Sequence, residues 1–382
     1  MARVKLIVDR GDIAVEHHAL FDELAALRGR ISGPSTVVLH SPGLARPWNR
    51  ISEYLHRDSV VEAEHAELAV CATARERECG YVWNAHVPLA LKAGIPRGVI
   101  ATVAERGPDA ALPEPARTVV LYVRQLLRDN RVESAVFARL LAAHGARWLV
   151  ELTVWIGRYA ALAGVLNAFE VTHPSPAEAL PVVAPAPPGP AKGRALLPTP
   201  RLTPITAREQ LAEEHRAIFD AVAGARGGVR GPFGVLLHSP ELCRRHLDVG
   251  TFLRTGARPS PATRELGIVA TARERDCPYV WAAHAPAART AGVSEAAVQA
   301  VRDGRETARL SEDERDVVDY VRQLLRAARV DQPLFDRLRD RHGVTWLVEL
   351  TCLVGHYGIV AGILNAFELA PAPTAEPLPV LP

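Results

Sequence analysis

The feature that most constrains this chain is that it repeats itself. EHHALFD at 16–22 returns as EHRAIFD at 214–220, and LHSP at 39–42 returns as LHSP at 237–240. YVRQLLR at 122–128 recurs at 320–326, and GVLNAFE at 164–170 returns as GILNAFE at 362–368. The offset is 198 residues throughout, too long for a solenoid unit, so the pattern reads as two copies of one domain. Between the copies runs THPSPAEALPVVAPAPPGPAKGRALLPTPRLTP, too dense in proline for a helix interior or a central strand. It reads as a stiff, extended linker. The expected organisation is a first copy over 1–171, a proline-rich linker over 172–204, a second copy over 205–370 and a proline-rich tail over 371–382. Each copy is long enough to bury its own core.

Within each copy the signals are helical. Residues 63–77 are rich in Ala, Glu, Leu and Arg, all strong helix formers. Residues 81–93 end at Gly94, a natural C-terminal stop. Residues 117–128 place Val120, Val123, Leu126 and Leu127 near one face. Alternating strand patterns are absent, so the expected fold is all-α.

Charge narrows the partners. The net charge is +2, with Arg interspersed among Glu and Asp, which describes a solvated helix surface and predicts no nucleic-acid partner. No apolar leader with a small-residue cleavage site opens the chain. The most membrane-like stretch, 148–171, contains Glu151 and Arg158, and its counterpart contains Glu349 and His356. Mid-span charge is costly, so both read as buried core helices rather than membrane spans. Five cysteines at irregular spacing (Cys71, Cys79, Cys243, Cys277, Cys352) do not form a disulfide framework, and a reducing cytoplasm is expected.

The candidate site is ATARERECGYVWNAH at 72–86 against ATARERDCPYVWAAH at 270–284. It holds C-x-x-V-W-x-x-H twice, as Cys79 with His86 and Cys277 with His284, with Glu67 and Glu265 twelve residues before the cysteines. Pro278 suits a first helical position, which sets Cys277, and by analogy Cys79, at a helix N-terminus. The free N–H groups and helix dipole there would favour thiolate. His86 lies two turns further along the same face, and antiparallel packing of the preceding helix would bring Glu67 to the histidine or the cysteine. The set suffices for a proton relay. Tyr81, Tyr279, Trp83 and Trp281 either line a pocket or fill the core, as do Val82 and Val280. His40 and His238 either line the pocket or bond the turn that follows them. Glu151 and Glu349, in the most apolar helix of each copy, need partners or a raised pKa. Tyr159 and Tyr357 lie eight residues beyond them. Cys71 reads as helix core. One Cys, one His and one carboxylate lack the clustered pairs of a structural zinc site, so neither metal nor cofactor is expected.

On these motifs, with LHSPGL, LHSPEL, the run Y-V-W-x-x-H-x-P-x-A-x-x-A-G and the late helix W-L-V-E-L-T-x-x-x-G-x-Y, the chain resembles the carboxymuconolactone decarboxylase and alkylhydroperoxidase D superfamily. The resemblance covers nearly all of each copy. It implies a compact all-α fold and assembly into homo-oligomers, trimers or hexamers, with the two copies acting as a pseudo-dimer. Members similar to alkylhydroperoxidase D use a C-x-x-C pair with a glutamate and a histidine. Cys79 and Cys277 fall at the first cysteine, His86 and His284 at the histidine, and Glu67 and Glu265 at the glutamate, while Val82 and Val280 replace the second cysteine. The leading expectation is therefore a cofactor-independent, single-cysteine peroxidase or thiol-redox enzyme acting on a hydroperoxide, with an external thiol as reductant. The alternatives are acid–base chemistry on a small carboxylate or lactone, as in the decarboxylase, and a non-enzymatic binding or assembly module.

Overall fold

The computed structural model describes residues 2–175, 178–187, 189 and 192–381. Among them the regular elements are helices throughout, and no strand occurs. The first half runs α1 His18–Arg28, α2 Ser35–Val38, α3 Pro42–Arg57, α4 Ala63–Glu76, α5 Gly80–Lys92, α6 Arg97–Ala104, α7 Ala116–Arg128 and α8 Ser134–Ala168. The second runs α9 Arg216–Arg226, α10 Pro232–Leu236, α11 Pro240–Thr255, α12 Pro261–Glu274, α13 Pro278–Thr290, α14 Glu295–Arg302, α15 Glu312–Arg326, α16 Gln332–His342 and α17 Val344–Ala366. The three helices expected at 63–77, 81–93 and 117–128 are α4, α5 and α7, displaced by no more than one residue at either end.

In each half one apolar helix forms the centre. α4 packs against α5, α7 and α8, and α12 against α13, α15 and α17. The apparent mismatch of one long α8 against the pair α16 and α17 has a local cause. Gly145 interrupts α8 at φ 83°, and Gly343 separates α16 from α17 at φ 86°, a left-handed region that favours glycine. α8 is therefore bent where its counterpart is cut.

The halves join along α8 and α17, and along α3 and α11. Close approach is possible because of glycine: a Cβ on Gly157 would lie 3.2 Å from the Ile359 Cα, and one on Gly355 would lie 2.7 Å from the Ala161 Cβ. The two long helices are apolar enough to cross a membrane by length and composition, yet 83% of each apolar window is buried. Mid-helix charges are satisfied across the junction. Ser239 Oγ donates to Glu151 Oε1 at 2.8 Å, and Ser41 Oγ donates to Glu349 Oε1 at 2.6 Å. The serine of each L-H-S-P motif thus serves the buried glutamate of the opposite half. Burial pushes the Glu151 carboxyl up, but bonds from Arg147, Ser239 and the Val60 N–H outweigh it and hold the group below the usual range.

The segment after Val171 runs without helix, and its described part is docked rather than free. Buried Arg75 donates from Nη1 to the Pro181 carbonyl at 2.6 Å, and Arg273 does the same to Pro379 at 2.6 Å. The start of the linker and the C-terminal tail are therefore equivalent straps, each held by the arginine of the A-T-A-R-E-R motif.

Candidate active site

The site begins with a turn. α4 ends at Glu76, the chain passes through left-handed Glu78 (φ 48°), and Cys79 becomes the N-cap of α5. Asp276 (φ 43°) and Cys277 repeat this before α13. The hairpin so formed lays α5 back along α4, bringing Glu67 beside His86. His86 Nδ1–H donates to Glu67 Oε2 at 2.7 Å, and His284 Nδ1–H donates to Glu265 Oε2 at 2.7 Å. A carboxylate only accepts, so Nδ1 carries the proton and Nε2 is left as the basic nitrogen. Each imidazole also meets a tyrosine edge-on, His86 with Tyr159 at 4.8 Å and His284 with Tyr357 at 5.1 Å. Tyr159, in turn, is bonded through its hydroxyl to His56 Nε2 at 2.9 Å.

Both histidines line cavities. In the first half a cavity of about 200 Å³ is bounded by Tyr81, Val82, His86, Tyr159, Arg30 and His173 among others. In the second half the cavity is larger, about 360 Å³, and includes Glu265, Tyr279, Val280, His284 and Tyr357. The second volume falls within the range of small-molecule pockets, and the first lies below it.

The cysteines are placed differently from the expectation of an activated thiolate. Cys79 and Cys277 are fully buried and belong to neither cavity lining. Burial pushes the Cys79 thiol up to about 12, against bonds from the Val82 and Tyr81 N–H groups that act to lower it. Burial likewise pushes Cys277 up to about 11, opposed by the Val280 and Tyr279 N–H groups and by Arg131 of the first half. The helix N-terminus does act as anticipated, but desolvation outweighs it. Cys71, Cys243 and Cys352 are free, buried thiols raised by the same cause.

The remaining candidates divide cleanly. Tyr81, Tyr279, Val82 and Val280 line the cavities, whereas Trp83 and Trp281 are core. His40 and His238 line neither cavity: their Nε2 atoms bond the Lys5 and Thr203 carbonyls at 2.7 and 3.0 Å, fixing the segment that leads into each half. Sequence reading missed Arg226, Arg230, Arg254, His246 and His356, all of which line the second cavity. A signal for several was present. Arg230, His246, Arg254 and His356 stand 198 residues from Ser32, Trp48, His56 and Arg158, positions where the repeat changes chemical character.

Residues 241–323 match the model of the carboxymuconolactone decarboxylase family. That span begins in α11 and ends in α15, and it encloses the whole Glu265–Cys277–His284 hairpin. Among curated proteins none matches the chain.

Proposed function

With a domain of the carboxymuconolactone decarboxylase family spanning residues 241–323, we propose that this chain is a cofactor-independent acid–base enzyme, decarboxylase-like in its chemistry, acting on a small organic substrate. The observation that carries this reading is that His86 and His284, each bonded to its glutamate, line the cavities while the cysteines do not. Nε2 of His284 takes a proton from the substrate and returns it to the product, and Glu265 stabilises the imidazolium formed in between. Tyr357, edge-on to that ring, is pushed up to about 12 by burial, so it keeps its proton at neutral pH and can donate a hydrogen bond. His86, Glu67 and Tyr159 repeat the arrangement in the first half.

Thiol-redox chemistry is the second reading, favoured by the backbone N–H groups directed at each cysteine. Two assays on the full chain separate the readings: reduction of cumene hydroperoxide with a dithiol, and proton exchange or decarboxylation on a panel of lactone carboxylates. Acid–base catalysis predicts that His284→Gln with His86→Gln lowers turnover of the carboxylate panel by about 100-fold or more, while Cys79→Ser with Cys277→Ser leaves it within a few-fold. Robust peroxide turnover abolished by the cysteine pair, with no activity on the carboxylates, would reverse the assignment.

A further inference from the structure

The positions at which the two halves diverge converge on one cavity. In the second half Arg226, Arg230 and Arg254 line it; Arg28 stands at the place equivalent to Arg226, but Ser32 and His56 stand at those equivalent to Arg230 and Arg254. Among the described residues none of these three guanidinium groups has a carboxylate partner, and the one acid in the lining, Glu265, is already bonded to His284. The Arg226 guanidinium lies over the Phe233 ring at 5.2 Å, with its Nε buried and without a hydrogen-bond partner. Burial and the neighbouring Arg254 both act to lower its pKa. Cationic charge gathered in one cavity without counter-charge is a site for an anion.

The inner wall differs as well. His246 and His356 stack there with centroids 4.3 Å apart and planes 24° apart. His246 is 0% and His356 4% exposed, and both ring nitrogens of His246 and Nδ1 of His356 have no partner among the described residues. Buried polar groups are normally satisfied, so three orphaned ring nitrogens in a cavity wall point to something that binds there. In the first half the same places hold Trp48 and Arg158. The Arg158 guanidinium packs over the Trp48 ring at 4.3 Å and donates to Ser52 Oγ and the Trp48 carbonyl. Neither residue lines the cavity around His86. Gly250 replaces Ser52 in the second half, and a Cβ there would lie 2.9 Å from both the Arg226 Nη2 and the His356 Nε2, so no side chain stands at this point to bond the ring as Ser52 bonds Arg158. Burial and the Arg226 charge hold His246 down to about 3, so the ring is neutral and offers one donor and one acceptor. That suits a hydroxyl or carbonyl better than a second negative charge.

We propose that the half spanning 205–370 binds a small organic carboxylate, its carboxylate held by Arg226, Arg230 and Arg254 and a neutral oxygen function held by His246 and His356, and that the first half does not bind it. The assignment deepens the acid–base reading and rests on it for the role of His284 toward the bound molecule. The two halves then have divided labour, with one substrate site per chain.

Calorimetric titration of the full chain with meta-hydroxybenzoate, benzoate and the neutral meta-hydroxybenzyl alcohol tests this without requiring turnover. The expected result is one equivalent of meta-hydroxybenzoate per chain, with benzoate weaker and the alcohol about tenfold weaker or more. Arg230→Gln with Arg254→Gln, both at exposed positions and so tolerated by the fold, should weaken meta-hydroxybenzoate by about tenfold or more. His246→Leu should remove its advantage over benzoate, and Arg30→Gln in the first cavity should change nothing. Two equivalents per chain, equal binding of the alcohol, unchanged binding by the arginine pair, or no binding below about 10 mM would each overturn the proposal. Specific binding by wild type without proton transfer on any carboxylate would leave the site standing and sink the acid–base reading alone.

Discussion

The buried cysteines make a prediction that can be worked through in numbers. Only the thiolate alkylates, and burial takes Cys277 from 9.0 to about 11 and Cys79 from 9.0 to about 12. At any pH well below 9 the thiolate fraction is therefore about 100-fold lower for Cys277 and about 1000-fold lower for Cys79 than for an unshifted thiol, and the ratios narrow above it. The two cysteines differ in one local respect, that Arg131 from the opposite half acts to lower Cys277 alone. The assay is iodoacetamide labelling of the native chain from pH 6 to pH 10, read by peptide mass spectrometry, with the guanidinium-unfolded chain as the reference for each site. The expected profile is a labelling rate that climbs tenfold per pH unit without reaching a plateau, with Cys277 ahead of Cys79 and both far behind the unfolded chain. Burial adds an access barrier, so the measured suppression should equal or exceed the thiolate ratio. A plateau near neutral pH at either cysteine, at a rate matching the unfolded reference, would refute the reasoning. It would show that opening and helix N–H groups overcome desolvation, and would return the protein to thiol-redox chemistry.

Other consequences concern stability. His246 has a depressed pKa in the folded chain, about 3 against 6.5, so below pH 6.5 the unfolded state takes up a proton that the folded state refuses. The stability this leaves intact above pH 6.5 is lost progressively as pH falls toward 3, by ~2 kcal/mol at pH 5. Thermal unfolding at pH 7 and pH 5 should show a smaller drop for His246→Gln than for wild type, and identical drops would contradict the assignment. At the junction, Ser41→Ala removes a donor from Glu349, which retains the Arg258 N–H, whereas Ser239→Ala leaves Glu151 with Arg147, Tyr54 and the Val60 N–H. Losing a bond to a buried charge costs about 1–3 kcal/mol, and denaturant melts should place Ser41→Ala toward the upper end and Ser239→Ala below it. The reverse order would show that partner number does not govern the cost.

What was legible in the sequence is what local rules control. Helix formers, Gly94 and Pro278 placed α4, α5 and the start of α13 to within a residue, and the spacing of Glu67, Cys79 and His86 sufficed for a hairpin that closes a Glu–His bond. The electrostatics of Cys79 were not legible. A helix N-terminus can be read from Pro278, but how deep that terminus lies depends on α7, α8 and the opposite half, which no local pattern reports. His40 and His238 are open in the sequence between lining a pocket and bonding the turn that follows them, and the structure takes neither: each bonds a carbonyl 35 residues earlier, a contact that no local pattern reports. The partners of Glu151 and Glu349 were likewise hidden, because each crosses to the other half.

The residues that the two copies share include the strap-holding arginines and the dyad. What distinguishes one half from the other lies in the residues they do not share. A buried Trp–Arg pair in one half and a His–His pair in the other occupy the same place between the same helices. The first bonds Ser52 and a backbone carbonyl through Arg158 but leaves the Trp48 Nε1–H without a partner among the described residues, and the second leaves three ring nitrogens so in the wall of the His284 cavity. Orphaned buried polar atoms cost stability in both halves, but in the second half they stand in a cavity wall, where a bound molecule would offset that cost. The position of the His–His pair beside three arginines that have no carboxylate partner among the described residues supports setting the proposed carboxylate site in the second half.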